Sequence, residues 1–170
     1  MPFKSIKRPI HGTSQSRTFT PKSLPTTLIF QTMQDEPSIG KIIDLPKILD
    51  QRGNLTFVEQ SKDIPFNVSR VYWVYDVPGG ECRGGHSHKH CREFIIAVSG
   101  SFTVTLTNGK QQHTFLLNHP YQGLLVDTNI WRTLDDFSSG AVCLVLAEDL
   151  FDEDDYIREY DEYLKFIEER

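Results

Sequence analysis

The stretch GECRGGHSHKHCREFIIAVSG, residues 80–100, sets out a glycine, five residues, His-x-His, four residues, a glutamate, six residues and a glycine. Side chains at i and i+2 of an extended strand leave the same face. His86 and His88 therefore point together. The apolar run Phe94–Val98, closed by Ser99 and Gly100, reads as the following strand, and Glu93 at its start can join the two imidazoles. A face carrying three donor side chains becomes possible.

Working outward, short β-type runs alternate with turn residues from Gly40 to about Ala147: KIIDL, NLTFVEQ, SRVYWVYDV, EFIIAVS, SFTVTLT, QQHTFLL, QGLLVD and AVCLVLA. Their short spacing, with hairpin signals at Ser99-Gly100 and Asn108-Gly109, predicts an all-β jelly roll or barrel and disfavours a parallel α/β fold. After Ala147 the pattern changes. Tyr156, Ile157, Tyr160, Tyr163, Leu164 and Ile167 recur at helical spacing behind an acidic first turn, which predicts a C-terminal amphipathic helix packed on the outside of the barrel.

The chain has 170 residues, 38% hydrophobic and 24% charged, enough for one substantial core. Residues 1–37 mix Pro, Ser, Thr and Lys without apolar periodicity and read as a flexible arm, leaving 38–170 as the single folded domain. Lys4, Lys7, Arg8, Arg17 and Lys22 all precede the first acid, Asp35, so the rest of the chain is more negative than the overall −5. Such a body repels nucleic acid, and an anionic substrate must be held by arginines in a pocket. No run is long and apolar enough to span a membrane, and the N-terminal residues lack an apolar signal-type segment, so a cytoplasmic protein is expected. Cys82, Cys91 and Cys143 have no CxxC spacing and read as reduced thiols.

The spacing of residues 80–100 resembles the first cupin motif. Asp127-Thr128-Asn129-Ile130-Trp131-Arg132 occupies the register of the second, with Arg132 where metal-binding cupins keep a fourth ligand, a histidine. A guanidinium has no lone pair to donate and repels a divalent cation, which counts against a metal. Two histidines and Glu93 nonetheless keep a facial-triad alternative open.

Two longer stretches, GKIIDLPKILDQRGNLTFVEQSKDIPFNVSRVYWVYDVPGGECRGGHSHKHCREFIIAVSGSFTVTL and NHPYQGLLVDTNIWRTLDDFSSGAVCLVLAEDLFDEDDYIREYDEYL, resemble the dTDP-sugar 3,4-ketoisomerase family of cupins from about Gly40 to Leu164. The resemblance implies a metal-free homodimer without a cofactor. It implies interconversion of 4-keto and 3-keto 6-deoxyhexoses linked to dTDP, on routes to the deoxysugars of surface polysaccharides. It also implies His86 as the carbon base, with His88 beside it, and Tyr72 as a proton relay between the two sugar oxygens.

The residue types suit that chemistry. Moving a carbonyl from C4 to C3 removes the C3 proton, forms an enediol(ate) and reprotonates C4. Imidazole is the side chain that exchanges protons near neutrality, which makes His86 and His88 the candidates. A phenol both donates and accepts, which suits Tyr72, with Tyr75 in reserve. Arg83, before the Gly84-Gly85 turn, can fork onto a diphosphate; Arg52, Arg132 and Glu93 complete the expected substrate-binding set. His90, His113 and His119 lack same-face partners at ligand spacing, and His11 lies in the arm.

The chain departs from the family's pattern between Gly123 and Trp131, where Leu125 and Asp127 replace an aromatic and proline-containing loop, and at Trp73, where tyrosine is commoner. The loop bears on which nucleotide or sugar is accepted. Two other readings remain open: a metal-dependent cupin enzyme using His86, His88 and Glu93, and a non-catalytic cupin that binds nucleotide sugars.

Overall fold

A computed structural model of the chain describes residues 39–170. The arm expected over 1–37 lies outside the described residues. The strands are Lys41–Asp44 (β1), Lys47–Ile48 (β2), Leu55–Thr56 (β3), Arg70–Tyr75 (β4), Arg83–His88 (β5), Glu93–Ser99 (β6), Phe102–Thr107 (β7), Gln112–Leu117 (β8), Gln122–Val126 (β9), Trp131–Asp135 (β10), Val142–Ala147 (β11) and Tyr156–Ile157 (β12). One α-helix follows, Tyr160–Glu168 (α1).

Ten strands form two five-stranded antiparallel sheets, ordered β1-β9-β6-β11-β4 and β12-β5-β10-β7-β8, while β2 and β3 make a separate ribbon. This is the expected all-β jelly roll of cupin type. Its core is dictated by alternation: Phe102, Val104 and Leu106 of β7 meet Ile95 and Ala97 of β6, Leu124 and Val126 of β9, and Cys143 and Val145 of β11. β6 is apolar at successive positions because both its faces are covered. Phe94 and Ile96 point the other way, under a lid of Leu45, Ile64 and Phe66. The Phe94 ring lies against Gly123, where a Cβ would collide with it.

Two sequence expectations need correction. Ser99-Gly100 does not close a hairpin: β6 and β7 belong to different sheets, and the turn carries the chain between them. Asn108-Gly109 does close one, between β7 and β8, with Gly109 at φ 84. Tyr156 and Ile157 are not helical either; they extend along β5, opposite His88 and Ser87, and the helix begins only at Tyr160. Ahead of them Glu153–Asp155 makes a 3-10 turn capped by Asp152, whose carboxylate accepts from the Asp154 amide. Helical spacing misleads here because sheet pairing with β5 competes successfully for these two residues. β10 is absent from the sequence reading, its Trp-Arg-Thr-Leu-Asp pattern being too polar to stand out.

The helix packs as expected on the outside of the barrel. Tyr163 is fully buried and its hydroxyl donates to the Thr107 and Asn129 carbonyls at 2.8 and 3.1 Å. Trp131 packs against the Tyr160 and Tyr163 rings. Among the described residues no helix is long and apolar enough to cross a membrane.

Candidate active site

The Arg83-Gly84-Gly85 segment aims the two imidazoles. Between β5 and β10 the register slips: His86 faces Arg132 while Arg83 faces Leu134, so three steps on β5 oppose two on β10. That is a bulge, and glycine at φ 89 and 41 takes the left-handed backbone it needs. A Cβ on Gly84 would meet Leu134 Cδ1 at 2.8 Å and the Arg132 carbonyl at 3.1 Å. Beyond the bulge the strand regains its pleat, and His86 and His88 share a face with ring centroids 5.2 Å apart, edge to face.

The two rings have different partners. His86 Nδ1 is hydrogen-bonded to the carbonyl of Gly84, which accepts, so the proton sits on Nδ1 and Nε2 keeps its lone pair. Nε2 is buried and has no hydrogen-bond partner among the described residues. Burial first, then the Arg132 charge, pushes the His86 imidazole down to about 3, so it is neutral at pH 7. His88 is spoken for at both nitrogens: Nδ1 lies 2.7 Å from Asp155 Oδ2 and Nε2 lies 3.2 Å from Glu93 Oε1.

Glu93 ties the cluster together. Oε1 also accepts from the Tyr72 hydroxyl at 2.7 Å, and Oε2 accepts from Arg132 Nη2 at 2.6 Å. Burial alone would raise this carboxyl, but Arg132, His88 and Tyr72 outweigh it and hold it below the usual carboxylate range. Tyr72 goes the other way: burial and the Glu93 charge raise its phenol well above the ordinary value. Tyr72 projects inward from β4 because it alternates with Val71 and Trp73, which are exposed.

Strand β12 completes the site and was missed by the sequence reading. The Tyr156 ring packs on both histidines, 4.9 Å from His86 and 4.3 Å from His88, and Arg70 Nη2 reaches its hydroxyl at 3.4 Å. Asp155 and Tyr156 looked like the acidic and aromatic positions of a helix. The signal that could have found them is that they lie inside the run DEDDYIREYDEYL, residues 152–164, which resembles the family.

Of the predicted residues, Tyr72, His86, His88, Glu93 and Arg132 gather into one cluster. Arg83 stands exposed at the start of β5, with no ion pair among the described residues. Arg52 is not brought to the cluster: it is exposed on the β2–β3 turn, and its guanidinium closes on Asp50 at 2.9 Å. Arg132, expected to reach toward phosphate, is 2% exposed and serves Glu93 instead. Glu93 likewise has both oxygens engaged by protein groups. Tyr75 and Trp73 face outward at 58% and 59% exposure, so the tryptophan does not bear on the site. In the divergent loop, Leu125 packs on the outer cluster and Asp127 is exposed beside Arg92, while the Asn129 amide donates to the His88 carbonyl at 2.7 Å. His90 and His113 are exposed, and His119 stacks on Tyr121.

His86, His88 and Glu93 each offer one ligand atom, all within 4.8 Å of one another. The donor chemistry does not fit a divalent cation. Both Glu93 oxygens and both His88 nitrogens already serve other groups, and the Arg132 charge sits against the carboxylate.

Residues 39–168 match the family described as FdtA, WxcM-like, C-terminal. The chain belongs to this family. It is 42% identical over 128 residues to the TDP-4-oxo-6-deoxy-alpha-D-glucose-3,4-oxoisomerase of Aneurinibacillus thermoaerophilus, spanning 75% of this chain and 92% of that one. Among solved structures, a 3,4-ketoisomerase from Helicobacter canadensis superposes with a TM-score of 0.74 at 39% identity, over 76% of this chain and 97% of that one. A mutant of the 3,4-ketoisomerase QdtA from Thermoanaerobacterium thermosaccharolyticum, in complex with TDP-4-keto-6-deoxyglucose, gives 0.75 at 37% identity, over 78% and 96%. The FdtA-family match thus covers nearly all of the described residues.

Proposed function

We propose that this protein converts a dTDP-linked 4-keto-6-deoxyhexose to the 3-keto sugar by proton transfer through an enediol(ate), in deoxysugar biosynthesis. The observation that carries the reading is the state of His86: Nδ1–H spent on a backbone carbonyl, Nε2 bare, buried and neutral at pH 7. That is the condition a general base must meet before it takes a proton from carbon. The kinship with ketoisomerases, one of them holding TDP-4-keto-6-deoxyglucose, supplies the substrate class.

In this mechanism His86 Nε2 removes the C3 proton, which exchanges with solvent while on the imidazole, and returns a proton either to C3, regenerating the 4-keto sugar, or to C4, giving the 3-keto sugar. The Tyr72 hydroxyl receives the O3 proton and delivers one to O4, so one C–H and one O–H bond break and one of each forms. Because burial and Glu93 keep the phenol protonated, Tyr72 passes protons on as a neutral group rather than as a standing phenolate. His88, with both nitrogens occupied, is left a supporting role. Arg83, exposed three residues before His86, is the arginine we assign to the diphosphate.

Assembly as a homodimer is part of the same proposal. Val71 (49% exposed), Trp73 and Tyr75 form an apolar stripe on β4, an edge strand, which a second copy would cover. The three free cysteines suit the reducing cytoplasm.

The test is incubation of the protein with dTDP-4-keto-6-deoxyglucose, followed by NMR. Appearance of the 3-keto sugar, undiminished by a chelator, is expected. Binding without conversion would favour the non-catalytic alternative, and loss of turnover on chelation would favour a metal-dependent enzyme.

A further inference from the structure

His88 is held between two carboxylates, and only one of them belongs to the motif that marks the fold. The second, Asp155, comes from the C-terminal 3-10 turn, 67 residues further along the chain. Its grip is not incidental. Oδ2 takes His88 Nδ1 at 2.7 Å, Oδ1 accepts the His90 amide at 2.7 Å, and its carbonyl accepts the Lys89 amide at 2.9 Å. Asp155 is thus fastened to three consecutive residues, the last of β5 and the first two of the β5–β6 connection, while remaining only 8% exposed.

An ionised carboxylate only accepts hydrogen bonds. Both His88 contacts are hydrogen bonds, therefore, when each ring nitrogen carries a hydrogen. Without Asp155 nothing fixes a hydrogen on Nδ1, and the ring is free to turn its hydrogen or its lone pair toward Glu93. The contacts run on in series: Asp155 to His88, His88 to Glu93 Oε1, Glu93 Oε1 to the Tyr72 hydroxyl. When the phenolic hydrogen swings from Glu93 to a sugar oxygen, Oε1 loses a donor. The His88 Nε2–H then keeps that buried oxygen from being left unpaired.

We propose that Asp155 is a positioning residue for this reaction: by holding His88 Nδ1 it fixes Nε2–H on Glu93 and so frees the Tyr72 hydroxyl to relay protons between the sugar oxygens. The inference rests on the ketoisomerase reading. It goes beyond that reading in dividing the site into a carbon branch, His86 alone, and an oxygen branch that ends in the C-terminal segment.

The two branches have separate readouts. Deuterium wash-in at C3 requires a proton to leave and return at carbon; formation of the 3-keto sugar also requires the oxygen relay. In the full-length protein in D2O with dTDP-4-keto-6-deoxyglucose, Asp155→Asn keeps the size of the side chain and an acceptor oxygen but removes the charge. The expected result is that the ratio of 3-keto formation to wash-in falls at least about tenfold, with KM little changed. Equal loss of both rates, or no loss, in an otherwise active enzyme overturns the inference. A wild-type protein with neither wash-in nor product overturns the ketoisomerase reading itself, and the inference with it. A readout independent of turnover is the 15N spectrum of His88 in the resting protein: hydrogens on both nitrogens are expected, and a bare Nδ1 or Nε2 overturns the proposal.

Discussion

Arg132 Nη2 lies 2.6 Å from Glu93 Oε2, with both side chains at most 2% exposed. A guanidinium is the buried counter-ion of the carboxylate that binds the cluster together. Its consequences can be tested without any substrate.

Removing one partner of a buried pair strands the other charge, at a cost of about 3–5 kcal/mol, whereas replacing both costs far less. Arg132→Met should therefore lower the denaturant midpoint strongly. Adding Glu93→Gln should recover most of the loss, as read from a double-mutant cycle of unfolding curves. Additive losses would mean that the pair is not coupled.

His86 gives a pH signature with a definite sign. An unfolded imidazole binds its proton near pH 6.5, while the folded His86 stays neutral down to about 3. Between these values the unfolded chain binds more protons, so stability falls as pH drops through that window. His86→Asn should flatten this part of the pH dependence in thermal melts. The acid limb of kcat/KM should likewise lie well below that of a free imidazole.

Tyr72 and Tyr75 sit on opposite faces of one strand. Tyr72→Phe should lower turnover by about a hundredfold or more, the usual scale for losing a proton-transfer group. Tyr75→Phe should leave turnover unchanged, because its side chain leaves the opposite face of the sheet from the site and the substitution keeps the ring that a second copy would cover. Steady-state rates for the two variants check this directly.

The bulge that aims His86 should be as sensitive as the imidazole. Gly84→Ala forces a Cβ into a left-handed residue, at about 1–2 kcal/mol, and against Leu134 and the Arg132 carbonyl. Lower stability and lower kcat are expected. Gly79→Ala, with nothing within 4 Å, serves as the neutral control.

Much of this site was legible because strand periodicity is a short-range rule. The i, i+2 spacing was enough to put His86 and His88 on one face, and the start of the next strand was enough to bring in Glu93. What spacing could not convey was the direction of each hydrogen bond. Arg132 could be numbered into the site, but whether it faced a phosphate or a buried carboxylate depended on burial across two sheets. Asp155 and Tyr156 were hidden for another reason: the local pattern is helical, yet the helical turn at Glu153–Asp155 stops at Asp155 and pairing with β5 extends Tyr156. Arg52, read into the pocket from the family register, closes locally on Asp50.

The most direct test of the central claim, that the bare Nε2 of His86 takes the proton from carbon, is solvent deuterium incorporation at sugar C3 during incubation with dTDP-4-keto-6-deoxyglucose in D2O. Incorporation is predicted for the wild type, with or without chelator, and none above background for His86→Asn that still binds dTDP. Undiminished incorporation in His86→Asn would contradict the account.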